Sequence, residues 1–410
     1  MATSPHKRNS IAGLFGGLNI SKTTYKTINL PKALRNTIRA KLPSNAKLIW
    51  KMDPNYDYNR FTPDPDEVFE ECVGYFGKVQ PLIINLKDED QSYNDYLVES
   101  MVMMIFTSNY LENAGSSQPI TLRICKEIFA GRELPEEIGE RDTEYEPIQA
   151  YLMEKKAQSD KSAVLRSRKQ IIQHAYALKY ITHRMVIEGE ALSESLLKET
   201  HRILTDGIDA DNEDKDKSET YGGIYRSCSV GWTCFSTFAR PEDVPKLMEQ
   251  AVAAFNTEVE EAISKQTLDP FDLATKYFHR ILNIHPFLDG NSRLTRLMMN
   301  TILLKYVGIV IPIGRDSIEA DKWKETVTRA AEIQAAEDED RGGKVAWAEV
   351  STLVAIQGRS TLRGLKDSLE AGKSEDIFER RKSIVGYHWD TSSEVEEEEC
   401  YYSELLRSVE

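Results

Sequence analysis

From Pro65 to Ile356 the apolar residues of this chain return at intervals of three and four, the spacing that lines one face of an α-helix. Val68, Phe69, Val73 and Phe76 follow it, and so do Leu97, Met101, Met104 and Ile105 within Tyr93–Leu111. Asn113-Ala114-Gly115 is a stop signal for that second helix. Further helices are expected over Thr121–Phe129, over Lys161–Glu188 with Ile172, Ala175, Leu178 and Ile181 on one face, and after the capping Ser193. Later ones span Val244–Ser264, Pro270–Ile284, Ser292–Tyr306, Ala320–Ile333 and Trp347–Ile356. Glu133–Glu146 reads as a charged connection and Asp206–Glu219 as an acidic loop. Only Gly222–Pro241, mixing Gly, Tyr, Val, Trp, Phe and Thr, reads as a hairpin. The pattern predicts a mostly α fold, a helical bundle with one small β-hairpin.

Charge is distributed unevenly along that pattern. The first 52 residues carry ten basic side chains and no acidic one, while the whole 410-residue chain has a net charge of −14. Residues 1–52 therefore read as a basic, partly disordered arm, with one short amphipathic helix near Leu34–Leu42, on an acidic body. An acidic body repels phosphate backbones, which argues against nucleic acid as the main ligand. From His388 to Glu410 eight acidic residues face one basic residue, a solvated tail. No run of about 20 uncharged apolar residues predicts a membrane span. Five scattered cysteines without C-x-x-C spacing point to a reducing compartment and no structural zinc. The expected location is cytoplasmic, with nuclear or mitochondrial targeting by the basic arm left open.

One stretch concentrates chemistry: His285-Pro286-Phe287-Leu288-Asp289-Gly290-Asn291-Ser292-Arg293-Leu294-Thr295-Arg296. A helix delivers His285 at its end, a turn passes through Asp289-Gly290, and a new helix starts near Asn291. Free N–H groups at that start form an anion site, strengthened by the helix dipole. Gly290 removes the side chain where a phosphate approaches the backbone. Arg293 and Arg296, at i and i+3, share a face with Asn300 and point two guanidinium groups along the anion. Asp289 offers one hard carboxylate, which suits Mg²⁺ shared with substrate oxygens. His285 is the one group here that titrates near neutrality, and so the natural general base.

The string resembles the signature of the Fic (Fido) family, H-P-F-x-[D/E]-G-N-G-R-x-x-R. The resemblance implies transfer of AMP from ATP, as co-substrate with Mg²⁺, to Ser, Thr or Tyr hydroxyls of target proteins and of the chain itself. It implies that His285 deprotonates the hydroxyl and Asp289 holds Mg²⁺. Gly290, Asn291 and the N–H of Ser292 would cradle phosphates, and Arg293 and Arg296 would bind the remaining charge. Ser292 departs from the usual Gly, so its side chain either crowds the phosphates or adds a contact. The Lys of Doc-type kinases is absent here, which favours nucleotidyl transfer. Leu197–Leu204 resembles the family's early core helix, and Gly223-Ile224-Tyr225-Arg226 with Pro241-Glu242-Asp243-Val244-Pro245 the segments flanking its flap. Val230 to Phe238, including Phe235, would then be that flap, which pairs with an extended stretch of the target. Trp323 is the candidate for the aromatic lid on the base.

Many members carry an inhibitory helix with the motif [S/T]-x-x-x-E-[G/N]. Ser108-Asn109-Tyr110-Leu111-Glu112-Asn113 matches each fixed position, whereas Ile187-Glu188-Gly189 matches only Glu-Gly, with Arg184 where Ser or Thr belongs. The long helix that follows Glu112 selects Glu112 as the carboxylate that would pair with Arg296. The implied division is an arm over 1–52, an N-terminal helical region over 53–187 with the inhibitory helix near 95–113, a Fic domain over 188–357 and an acidic tail over 358–410. Removal of AMP, another nucleotide or diphosphate donor, and a degenerate binding module are the competing readings. A homodimer is compatible with the resemblance, since some relatives are controlled by dimerisation.

Overall fold

Helix starts follow the capping residues that the sequence supplies. Asp64 accepts from the N–H of Asp66, Asp160 from Ala163 and Ser193 from Leu196, each satisfying a donor the first turn leaves free. The computed structural model of the protein describes residues 24–45, 48–208, 221–230, 238–337 and 345–371. The helices in chain order are α1 (Thr24–Thr27), α2 (Leu30–Asn45), α3 (Pro65–Ile84), α4 (Ser92–Tyr110), α5 (Gln118–Phe129), α6 (Tyr145–Glu154) and α7 (Lys161–Thr182). They continue with α8 (Glu194–Leu204), α9 (Val244–Lys265), α10 (Pro270–Ile284), α11 (Asn291–Tyr306), α12 (Ser317–Glu337) and α13 (Ala348–Ala371).

The middle of the bundle is α11. Every residue of it except Ser292 and Lys305 is buried, the mark of a helix enclosed on all sides. Alongside runs α10, whose Phe271, Tyr277 and Phe278 are buried. Helices α7, α8, α4 and α2 pack against α11, while α13, α12 and α9 pack against α10. On the far side α3 lies along α13, tied by Cys72 to the carbonyl of Ala355 and by the Arg359–Glu71 pair at 2.9 Å. Two short parallel strands, β1 (Ile49–Trp50) and β2 (Thr267–Leu268), pair Ile49 with Thr267 and Trp50 with Leu268. They bring the chain after α2 to the start of α10, where Asp269 accepts from the Asp53 N–H and the Tyr56 hydroxyl.

Several expectations need correction. From Thr24 onward the basic segment is no arm: Leu30, Leu34, Ile38 and Leu42 of α2 are buried in the common core. Its charges are also used, Arg35 donating to the carbonyls of Lys87 and Asp88 and Lys41 to that of Val186. The helix there runs over Leu30–Asn45, longer than the short one expected near Leu34–Leu42. The boundary at 357 falls inside α13, which continues to Ala371 with Leu362, Leu365 and Leu369 buried. The end of the supposed charged connection starts α6, and the long helix to Glu188 closes as a π turn over His183–Ile187. The acidic loop over 209–220, the hairpin residues 231–237 and the tail beyond 371 lie outside the described residues. Among the described residues β1 and β2 are the only strands. No helix there is long and apolar enough to cross a membrane.

Candidate active site

Helix α10 ends at His285, whose φ of +50° turns the chain into the left-handed region. Its Nδ1 lies 3.3 Å from the carbonyl of Leu282, an acceptor, so the ring proton sits on Nδ1 and Nε2 keeps its lone pair. The imidazole lies flat against Phe238, with centroids 3.9 Å apart and planes at 17°. Burial pushes the His285 pKa down to about 4, and Arg226 pushes the same way. The Leu282 carbonyl and the carboxylates of Asp289 and Glu112 oppose it. The ring is therefore neutral at neutral pH and able to accept a proton.

After Pro286 the loop closes on itself. Asn291 accepts from the Phe287 N–H at 2.9 Å and donates to the Phe287 carbonyl at 2.8 Å. Its side chain is thus spent on the turn, so only its backbone N–H is left for the expected cradle. Gly290 adopts φ +77° and starts α11; a Cβ there would meet His201 Nε2 at 3.2 Å. Asp289 accepts from the Gly290 N–H and, at 3.0 Å, from Arg293. Its side chain remains 37% exposed, so the carboxylate still faces the cleft. Ser292 also lines the cleft. Asn300 does not share in this: it accepts from Ile311 and donates to the Arg296 carbonyl.

Arg296 is buried, and burial holds its pKa below the usual arginine range. Its guanidinium donates to the Ser108 hydroxyl at 2.8 Å, the Ser108 carbonyl at 2.9 Å and the Glu112 carboxylate at 2.7 Å. Ser108 and Glu112 sit at the end of α4, in and just beyond its last turn. Asn113 follows with φ +53°, a conformation Asn tolerates better than most side chains, and its own side chain is exposed. This helix end is fastened to α7: Asn109 meets His174 at 2.8 Å, and Gly115 bonds Gln170 and Ser167. The rival Glu188 instead pairs with Arg184 at 2.6 Å, away from the cleft lining.

A cleft of about 510 Å³ gathers these groups. His285, Asp289, Gly290, Asn291, Ser292, Arg293 and Arg296 form one end, with Glu112 over Arg296. Phe278, Leu282, Trp323 and Val327 form an apolar end, with Lys324 and Thr328 at its edge. Trp323 is buried against Phe278, centroids 5.3 Å apart, and so is a fixed wall of the cleft. Of the expected flap residues, Val230 does not line the cleft and Phe235 lies outside the described residues.

Two contributors were not foreseen. Buried His201 on α8 meets the Asp289 carbonyl at 2.7 Å through Nε2 and receives the Gly223 N–H at 2.9 Å on Nδ1. Its ring stacks on Phe287 at 3.8 Å, and burial lowers its pKa to about 4. The second is Arg226, which donates to the His285 carbonyl at 2.6 Å. Both act on backbone carbonyls, which carry no residue-type signature, so spacing could not single them out.

Residues 191–303 match the family model described as the Fic/DOC family. Over 138 residues the chain is 30% identical to "Protein adenylyltransferase Fic" of Drosophila grimshawi, a match covering 33% of this chain and 25% of that protein. The protein of the same name in Drosophila melanogaster matches with the same identity and coverage. The match thus spans about a quarter of the length of these relatives. A solved Fic domain containing signaling protein of Bacteroides thetaiotaomicron shares the fold, with a TM-score of 0.50 and 22% identity over 75% of this chain and 99% of that one.

Proposed function

We propose that this chain, a Fic-domain protein, is an autoinhibited protein adenylyltransferase that moves AMP from ATP to a protein hydroxyl. The observation that carries the reading is the meeting of His285, Asp289, the α11 N-terminus, Arg293 and Arg296 in one cleft, with Glu112 bonded to Arg296. Neutral His285 would take the proton of a Ser, Thr or Tyr hydroxyl on Nε2. The hydroxyl oxygen then attacks the α-phosphorus, the bond to the β-phosphate oxygen breaks, and pyrophosphate leaves. The N–H groups at the start of α11, from Asn291 and Ser292 onward, stabilise charge on the phosphates. The apolar end at Trp323, Phe278 and Val327 suits the base.

Asp289 fits a Mg²⁺ ion: a single half-open carboxylate beside a phosphate cradle, with no cluster of three ligating side chains among the described residues. That is the donor set of an ion which completes its shell from substrate oxygens and water, and when bound it neutralises phosphate charge. Arg293 orients that carboxylate. Glu112 occupies the cation that a γ-phosphate would need and adds a repelling negative charge. The target is a protein presenting a hydroxyl to His285.

Incubation of the full chain with Mg²⁺ and ATP, followed by intact-mass measurement, tests the reading. A mass gain of one AMP, larger in Glu112→Gly and absent in His285→Ala, is expected. No gain in Glu112→Gly with any nucleoside triphosphate sinks it.

A further inference from the structure

Arg226 is 5% exposed, yet no carboxylate pairs with it among the described residues. The hydrogen bonds of its guanidinium go to carbonyl oxygens. Nε donates to His285 at 2.6 Å, Nη1 to Cys228 at 2.9 Å, and Nη2 to Ala239 and, at 3.3 Å, to Ile284. Its backbone N–H donates to Pro286 at 3.0 Å. The carbonyls of Ile284 and His285 close α10, where the negative end of the helix dipole offsets a buried cation. Ala239 follows Phe238, the residue whose ring lies on the imidazole of His285. One guanidinium therefore fixes the backbone on both sides of a stacked ring pair.

We propose that Arg226 is a positioning residue for His285, holding the imidazole against Phe238 by bridging the carbonyls of His285 and Ala239. The proposal rests on His285 being the general base of the proposed reaction. The planar fork reaches the carbonyls of His285 and Ala239 from two separate nitrogens, Nε and Nη2, in a fixed geometry; a lysine ammonium places all its donors on one rotatable atom and cannot reproduce that geometry. The His285 backbone is in the left-handed region, uncommon for a residue with a side chain, and Arg226 bonds the carbonyl of that residue. The charged groups that act on the ring are Arg226, Asp289 and Glu112, and of these Arg226 alone favours the neutral form. Arg226 thus sets the ring's place and helps keep it ready to accept a proton.

The test uses the full chain in the Glu112→Gly background, with Arg226→Lys and Arg226→Gln. Self-modification by labelled Mg-ATP is measured, together with the His285 ring titration and the contact between the His285 and Phe238 rings by NMR. The expected result is a kcat lowered by about 100-fold with folded protein, as for a base displaced by about 1 Å. KM for ATP should stay within about threefold, since phosphate binding is untouched. The ring contact should weaken in both variants, and in Arg226→Gln, which loses the charge, the titration midpoint should rise, moving the acid limb of the rate to higher pH. A cation that is merely structural would lower the melting temperature and the folded fraction without moving that midpoint. A folded Arg226→Gln protein with unchanged kcat, a loss of rate in Arg226→Gln with an unmoved midpoint, or failure of both variants to fold would each overturn the proposal. If the Glu112→Gly parent transfers no nucleotide, the function reading fails, while ring contact and midpoint still decide the role of Arg226.

Discussion

The carboxylate of Glu112 lies 2.7 Å from the guanidinium of Arg296, although 184 residues separate them in the chain. Around this pair the fold brings the end of α4 against the start of α11. Arg296 is almost fully buried, whereas the Glu112 side chain is a third exposed. The cation is therefore fixed and the carboxylate is the partner that can leave.

Removing Glu112 should free Arg296 for a triphosphate. Glu112→Gly is expected to raise self-modification with labelled ATP by about 10- to 100-fold, the span of one charge-assisted hydrogen bond. Glu188→Gly should leave the rate unchanged, because Glu188 is engaged with Arg184. Activation by the Glu188 change alone would show that the wrong carboxylate had been chosen.

His285 should set the acid side of the pH dependence. Its pKa is lowered to about 4, so the base is neutral, hence active, above that value and protonated, hence inactive, below it. The rate of Glu112→Gly should be free of a histidine limb between about pH 5.5 and 7 and fall only nearer pH 4. An inflection near the free-histidine value would mean the ring is more solvated than its stack on Phe238 indicates. His285→Ala should lower transfer by about 100-fold or more.

On the proposed function, Asp289 would link metal and phosphate chemistry. Asp289→Asn keeps the shape and one acceptor but loses the charge, so the Mg²⁺ concentration for half-maximal transfer should rise at least about tenfold. Arg293 would lose its carboxylate in this variant. Metal titrations of both proteins in the Glu112→Gly background check this, and an unchanged half-saturation would remove Asp289 from the metal site.

The basic segment should prove inseparable from the core. Deleting residues 1–45 removes buried Leu30, Leu34, Ile38 and Leu42, each worth about 1.5–3 kcal/mol of burial. It also bares the α4 and α11 surfaces they cover. Thermal unfolding followed by circular dichroism should show a large drop in Tm or no cooperative transition. A truncated protein that melts like the full chain would restore the picture of a dispensable arm.

Much of this was legible because it is local. Ser193 caps α8 as its residue type predicts, and the string from His285 to Arg296 carries its groups within about three turns of chain. Glu112 was found because its motif is compact, though its approach to Arg296 is a property of packing. What escaped acts over distance through backbone atoms: His201 on the Asp289 carbonyl and Arg226 on that of His285. The burial of α2 escaped for another reason. Its lysines and arginines find carbonyl partners on α3 and the π turn, and no charge count predicts that. Asn291 was expected to face the ligand, but a side-chain amide satisfies a tight turn equally well.

The fastening of the α4 end to α7 through Asn109, Gly115, His174, Gln170 and Ser167 has a consequence for control. Because that anchorage joins it to the core, Glu112 would, on the proposed function, act as a competitor on a very short tether. Its local concentration at Arg296 is set by geometry, so dilution of the protein cannot relieve it. Release would then need a side-chain rotation and not the swing of a domain. On the proposed function, the balance between the resting and working forms would follow the supply of triphosphate and any ligand that pulls on the last turn of α4.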